Sequence, residues 1–358
     1  MDIQTAVHYT GYGADLLGLF PWLYAVRTSV TLVNPRVYSK VVSPSIVTTS
    51  PSRRLGTCGK VCNYAAMMRR EEHNVVDSCK LQELERLARR IRCHIIELLV
   101  EARSGHPGGS LSGVEYGVAL YFHILKHDPK RADWPDRDRV IWSRGHVGPL
   151  IFSLLAEAGY IPLEELLTFR KFGSRLQGHP TTKCPGIEVG TGSLGQGLSV
   201  AAGLAIGFRL DGKPNRVYCL LGDGESQEGS VWEAIMCAGH YQLDSLCAVV
   251  DYNSLQIDGR VEEVMGVAPF ADKWRAFRWN VLEVDGHDLA QVLDAYEAAA
   301  QTRGKPTVIL ARTVKGKGVS FMEDQASWHG KAPTPEQGRQ ALLELGCDGE
   351  GGLIRGLP

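Results

Sequence analysis

The sequence predicts an α/β fold, a parallel sheet with helices on both faces, from three observations. Short runs at 217–221, 246–250, 281–284 and 307–311 read as strands, and the first two are apolar throughout, as strands buried on both faces are. Helical stretches at 230–240 and 288–302 lie between them, the alternation that builds a parallel sheet. Finally, Asp223 and Asn253 stand just beyond the apolar runs Val217 to Leu221 and Leu246 to Val250. Open α/β sheets bind ligands at that carboxyl edge.

The 358 residues, 44% of them hydrophobic, suffice for one large domain or two small ones. Residues 1–75 are read as an N-terminal extension outside the fold. Residues 1 to 70 hold eight Lys/Arg against only Asp2 and Asp15, and Leu16 to Arg70 contains no acid. That composition is shared with organelle transit peptides, and it equally fits an over-extended reading frame whose start is Met67 or Met68. The apolar stretch Leu16 to Val26 contains Pro21 and is too short for a bilayer, which needs roughly twenty residues.

The domain proper is expected over 76–345. From Leu81, the residues Leu84, Ala88, Ile91, Ile95, Leu98 and Ala102 alternate spacings of three and four, predicting an amphipathic helix of about six turns. It stops at Ser104-Gly105-His106-Pro107, where Gly can cap and Pro cannot continue. Helices are expected at Gly113 to Leu125 and Pro149 to Ala158. The Gly- and Pro-rich residues 170–197 read as a loop around a ligand. The next helix, carrying Gly195, Gly197, Ala201, Ala202, Gly203, Ala205 and Gly207, is built for close packing at a cost in helix propensity. A last helix is expected from Thr334 to Leu345, then a flexible tail, 346–358.

Composition excludes some functions. The net charge is −1 and the body after residue 70 is acidic without a basic stripe, which argues against nucleic acid as partner. No membrane span is visible. The nine cysteines are scattered, with Cys58 and Cys62 the only close pair, so they read as cytosolic thiols and place the protein in the cytoplasm. Cys219, Cys237 and Cys247 fall in apolar patterns, where a thiol acts as a small hydrophobe.

The run Gly222-Asp223-Gly224-Glu225-Ser226-Gln227-Glu228-Gly229 and Asn253 carry the chemistry. A carboxylate, an amide oxygen and a backbone carbonyl are hard donors suited to Mg²⁺ or Ca²⁺, with diphosphate oxygens completing the shell. Gly222 and Gly224 admit phosphates close to the backbone, and a helix from about Ser230 aims its N-terminus at them. Four histidines sit in turn contexts: His106 in Ser-Gly-His-Pro-Gly-Gly, His146 in Ser-Arg-Gly-His, His179 in Gln-Gly-His-Pro and His329 in Ser-Trp-His-Gly-Lys. One such histidine is usually structural. Four, with Lys315 in Val-Lys-Gly-Lys-Gly, suggest hydrogen bonding to phosphate and sugar oxygens and proton transfer near neutral pH.

Gly-Asp-Gly followed about thirty residues on by Asn resembles the thiamine-diphosphate enzymes, and within them transketolase. The resemblance covers about residues 80 to 345, through Ser104 to Gly109, Ser143 to His146, Gly178 to Pro180, Glu188 to Gly197, Gly222 to Gly229, Asp251 to Gly259 and Lys315 to Lys331. It implies the thiamine-diphosphate-binding fold. Asp223, Asn253 and the carbonyl of Leu255 would hold Mg²⁺ or Ca²⁺, and His146 and His329 would contact the cofactor diphosphate. Gly192, Ser193 and Leu194, with Gly222 and Gly224, would line the cofactor. His106, His179 and His329 would face substrate hydroxyls, with Lys315 adding positive charge, and Glu228 would face a subunit interface. The implied reaction splits a ketose between C2 and C3 and passes two carbons to an aldose, with the cofactor as electron sink.

In this family a second domain supplies the glutamate that acts on the cofactor's aminopyrimidine, and no motif here matches it. The resemblance therefore implies the N-terminal half of a split transketolase, active on sugar phosphates with a separate C-terminal subunit carrying the pyrimidine-binding domain, as a heterotetramer. The alternatives are an α-type subunit of a 2-oxo acid decarboxylase or related synthase, which lacks this set of histidines, and a non-catalytic binding protein that keeps the fold.

Overall fold

The computed structural model describes residues 78–347. The expected extension, Cys58 with Cys62 and nearly all of the tail lie outside the described residues.

The first helix, α1 (Ser78–Ala102), forms where the three-four spacing puts it. From Ile91 to Val100 every residue is buried, so the helix is amphipathic at its start and enclosed at its end. Enclosure requires its polar side chains to find partners. Arg92 pairs with Glu115, and His94 meets Glu157 at 2.9 Å. After α1 the chain turns through Arg103 and Gly105, both at positive φ. Pro107 opens α2 (Pro107–Ser112), and α3 (Val114–Ala119) runs on into a π-helical turn, Leu120–Ile124.

The first strand, β1 (Arg139–Trp142), is absent from the sequence-based expectation, as are α7 (Val261–Met265) and α8 (Phe270–Ala276). The other elements match: α4 (Gly148–Glu157), α5 (Gly197–Leu210), β2 (Val217–Gly222), α6 (Gly229–His240), β3 (Leu246–Tyr252), β4 (Asn280–Asp285), α9 (Leu289–Gln301), β5 (Thr307–Arg312) and α10 (Pro335–Glu344), except that Gly195, expected in α5, lies before it at a positive φ that a helix does not allow. Asp288 caps α9, and Thr334 with Gln337 forms a capping box on α10, each satisfying N–H groups the helix leaves free.

The sheet is wholly parallel in the order β1-β2-β3-β5-β4. Side chains alternate between two cores, as a period of two demands. Val217, Cys219, Leu221, Leu246, Ala248, Val250, Val308 and Leu310 pack with α5, α6 and Trp274 of α8 on one face. Tyr218, Leu220, Cys247, Val249, Ile309 and Ala311 pack with α1, α3, α4 and α9 on the other. This is why β2 and β3 are apolar nearly throughout, whereas the edge strand β4, half-buried to exposed, carries Glu283.

The reading of all cysteines as free thiols is corrected at one pair. The residues after α10 fold back along α1, and Cys93 is joined to Cys347 in a disulfide, Cα atoms 6.4 Å apart. Cys219 and Cys247 are buried free thiols, as expected.

Two glycines separate packing from openness. A Cβ on Gly239 of α6 would lie 1.9 Å from the Phe277 carbonyl oxygen, whereas one on Gly203 of α5 would meet nothing within 4 Å. Gly239→Ala is therefore expected to destabilise the chain by about 2 kcal/mol or more through overpacking. Gly203→Ala is expected to stabilise the isolated chain by up to about 1 kcal/mol through helix propensity. Urea unfolding of both variants checks this pair of opposite signs.

Candidate active site

All the singled-out chemistry except His179 and its neighbours gathers where the strands end. Ser143 to His146 follow β1, Asp223 follows β2, Asn253 follows β3 and Lys315 lies beyond β5. Because Gly222 of β2 pairs with Asp251 of β3, Asp223 and Asn253 are brought together although thirty residues apart.

Asp223 is 2% exposed. Its Oδ1 accepts from Gly224 N at 2.8 Å and its Oδ2 from Ser254 N at 2.5 Å. Asn253 donates through Nδ2 to Asp251 Oδ2 at 2.9 Å, and its Oδ1 accepts from Leu255 N at 3.0 Å, which fixes the amide's orientation. Burial, with the Asp251 charge alongside, pushes the Asp223 carboxyl up to about 7. A buried acid so disfavoured as an anion is one that a neighbouring cation would stabilise. Among the described residues no three His, Cys, Asp or Glu side chains are grouped to hold a metal. A cation here would rest on one carboxylate, an amide oxygen, a carbonyl and ligand oxygens, the hard set that Mg²⁺ or Ca²⁺ prefers. A Cβ on Gly222 would meet nothing nearer than 3.8 Å, so protein packing alone does not demand a glycine there. Between Asp223 and α6 the chain makes a 3₁₀ turn, Gly224–Gln227.

Beneath this lies a layer without an assigned role in the sequence-based reading. Asp251, fully buried, takes Arg144 Nη1 at 2.5 Å, Ser112 Oγ at 2.7 Å, Asn253 Nδ2 and the Thr313 hydroxyl. Arg144 also donates to the Tyr116 hydroxyl at 2.6 Å and the Gly109 carbonyl at 2.9 Å. Glu225, likewise buried, accepts from the Ser143 hydroxyl, Gly195 N at 2.9 Å and Gly222 N at 3.1 Å. Gly195 sits at φ +84, and a Cβ there would come within 2.6 Å of the Glu228 Cβ. The spacing Asp251-x-Asn253 was the available signal, since alternate strand-end residues share a face.

Three of the four histidines form one cluster. Ring centroids of His106 and His146 are 5.4 Å apart, those of His106 and His329 5.4 Å, and those of His146 and His329 5.2 Å. His179 stands apart and exposed, with Cδ2 3.4 Å from the position of a Cβ on Gly192. Gly192 and Ser193 are exposed and Leu194 is half-buried. Lys315, 2% exposed, donates to the Leu255 carbonyl at 3.3 Å and lies 3.0 Å from His329 Nδ1. It therefore bridges the Leu255 carbonyl and the histidine cluster. Arg170, at φ +59, donates through Nη1 to Ser104 Oγ at 2.5 Å, and its Nε is buried without a hydrogen-bond partner.

The histidines do not keep the proton affinity of a free imidazole. Burial and neighbouring cations push His106 down to about 4 and His329 down to about 3, and hold His146 well below its ordinary value. His179 is lowered by burial and then by Arg170. Burial, then Arg144, brings Lys315 to about 8. At pH 7 the cluster is thus three neutral imidazoles, each able to donate at one nitrogen and accept at the other. His106 Nδ1 is buried without a hydrogen-bond partner, as an atom reserved for a ligand would be.

Residues 84–352 match the family described as transketolase, thiamine diphosphate binding domain. The chain belongs to this transketolase family. Its cofactor is accordingly thiamine diphosphate, and the 2-oxo acid alternative is set aside. It is 44% identical over 268 residues to the 6-deoxy-6-sulfo-D-fructose transketolase subunit of Clostridium sp. (strain MSTE9), covering 75% of this chain and 98% of that one. It is 41% identical over 266 residues to an apulose-4-phosphate transketolase subunit of Phocaeicola vulgatus, covering 74% and 95%. The solved transketolase from Leishmania mexicana superposes with a TM-score of 0.71 at 32% identity, over 76% of this chain and 42% of that one. The chain thus spans about two-fifths of that transketolase and nearly the whole of the two subunits. No helix among the described residues is long and apolar enough to cross a membrane.

Because the folded imidazoles refuse protons that the unfolded chain takes up near pH 6.5, their burial contributes to acid instability as pH falls from 6.5 through about 4. The expected outcome by histidine NMR on the ligand-free protein is that His106 and His329 do not titrate between pH 8 and about 5.5.

Proposed function

We propose that the chain is the thiamine-diphosphate-binding subunit of a two-subunit transketolase. It moves a two-carbon ketol unit from a ketose phosphate to an aldose acceptor together with a C-terminal subunit that carries the pyrimidine-binding domain. The observation that carries the reading is the coverage: two transketolase subunits are matched over 98% and 95% of their lengths. The arrangement of the two kinds of chain in a heterotetramer and the use of Mg²⁺ or Ca²⁺ belong to the same proposal.

Asp223, Asn253 Oδ1 and the Leu255 carbonyl would hold the divalent cation, with the cofactor diphosphate completing its shell. When bound, thiamine diphosphate supplies the electron sink that allows the ketose C2–C3 bond to break. His146 and His329 donate N–H groups toward the diphosphate. His106, through its unpartnered Nδ1, and His329 hold sugar hydroxyls and pass protons at the C2 oxygen as neutral imidazoles. His179 and Arg170 stand further out, where a longer sugar chain would reach. Lys315 adds a positive charge between the Leu255 carbonyl and His329.

The partner surface proposed is the open face of α5, continued by Met236 of α6, Tyr241 and Leu210, all exposed, with Glu228 at the start of α6. Exposed apolar side chains beside glycines with open space in front suit close helix packing across an interface.

A coupled assay with xylulose 5-phosphate and ribose 5-phosphate tests the two-subunit reading. Either chain by itself is expected to be inactive and the mixture active; robust turnover by this chain without its partner would overturn it. Asp223→Ala or Asn253→Ala in the mixture is expected to weaken Mg²⁺-dependent cofactor binding at least about tenfold, followed by fluorescence titration, with unfolding of the ligand-free Asp223→Ala chain little changed. Unaltered metal-dependent affinity would remove these residues from the metal site.

A further inference from the structure

We propose that His287 is a positioning residue: with Glu115 and Arg92 it clamps the backbone on both sides of Lys315 and so sets where that ammonium group stands against His329. The inference rests on the reading of Lys315 as a site residue.

His287 lies in the turn after β4. Its Nε2 accepts the Val314 backbone N–H at 2.8 Å, and its Nδ1 is 3.0 Å from Glu115 Oε2. A nitrogen that accepts a backbone N–H carries no proton, so the ring proton resides on Nδ1 and is donated to Glu115. Glu115, on α3, is gripped from α1 by Arg92 through Nη1 at 2.6 Å and Nη2 at 2.8 Å. Arg92 spends its Nε on the Lys317 carbonyl at 3.1 Å. The triad therefore holds Val314, immediately before Lys315, and Lys317, two residues after it. Between them Gly316 N donates to the Gly108 carbonyl at 2.9 Å, which ties the same loop to the turn that carries His106.

A lysine side chain has four rotatable bonds and is readily misplaced unless its root is fixed. Here the root is fixed at those three backbone points and at Lys315's own carbonyl, which accepts from Asp324 N at 2.9 Å, and the tip is left to meet the Leu255 carbonyl and His329. Charge balance does not call for His287, because Arg92 already meets both Glu115 oxygens. What His287 alone contributes is the bond to Val314. Behind it is a cavity of about 650 Å³, bounded by Arg92, Glu115, His287 and Lys317 and containing none of the four clustered or loop histidines.

The test is a mutant cycle in the assembled two-subunit enzyme. His287→Leu removes both hydrogen bonds and leaves Glu115 paired. Its kcat is expected to fall about 10- to 100-fold, with the KM for ketose and the cofactor affinity within about threefold. His287→Gln is expected to recover most of the loss, because its amide can accept from Val314 and donate to Glu115. His287→Leu combined with Lys315→Ala is expected to be no slower than Lys315→Ala alone. Wild-type kcat in folded His287→Leu, or losses that multiply in the double variant, would overturn the clamp. An unchanged kcat in Lys315→Ala would instead overturn the reading of Lys315 on which it rests. Should His287→Leu fail to fold, folded His287→Ala supplied with imidazole through the adjoining cavity is expected to regain activity, and no regain would count against the proposal.

Discussion

The floor of the site hangs on one buried ion pair, Asp251 with Arg144. Taking both charges out of water is costly, and such a pair returns that cost only when every remaining hydrogen-bonding position is filled. Here they are filled by Ser112, Thr313, Asn253, Tyr116 and the Gly109 carbonyl. These groups come from α2, α3 and the loops after β3 and β5, and Arg144 itself from the loop after β1. The pair adds little to stability compared with apolar side chains of the same size, but it allows only one arrangement of those loops. Asn253 is the direct beneficiary: with its nitrogen held by Asp251, its oxygen can only turn the other way.

Above this floor the electrostatics divide in two. On one side Asp223 is kept from ionising easily by burial and by Asp251; a divalent cation would relieve both. On the other, burial, and after it Arg144, Arg170 and Lys315, keep the imidazoles uncharged. An uncharged imidazole lends a proton at one nitrogen and takes one at the other without first acquiring a net charge, which suits exchange with sugar hydroxyls. The same cationic surroundings favour an approaching diphosphate. One constellation thus disfavours its own charge states and favours those of its ligands.

Much of this was legible in the sequence. Strands buried on both faces are apolar throughout, so β2, β3 and β5 could be read to within a residue or two. Asp223, Asn253 and the histidines stand in turn contexts that advertise themselves. β1 could not be read, because four residues beginning with Arg139 after a charged stretch carry no period. Asp251 and Glu225 were not given roles, because a buried acid acquires its meaning only from neighbouring strands and loops laid side by side. His287, just before the helix expected at 288–302, was given no role, and its second bond, to Val314, depends on β4 lying beside β5. Proton affinities could not be read for a related reason: local motifs show which side chains are present, while burial and arginines distant in sequence set their titration.

The strand order has a consequence for how the chain acquires its site during synthesis. β4 is made before β5, yet it pairs only with β5, which must enter between β3 and β4. Until residues 307–312 leave the ribosome, β3 has an open edge and β4 has no neighbour in the sheet. Lys315 and His329 follow later still. A nascent chain therefore holds Asp223 and Asn253 well before it has anything to set against them, and an exposed parallel edge is a hazard for mispairing in that interval. Completion of the ligand cradle coincides with closure of the sheet, which makes capture of the cofactor a readout of finished folding.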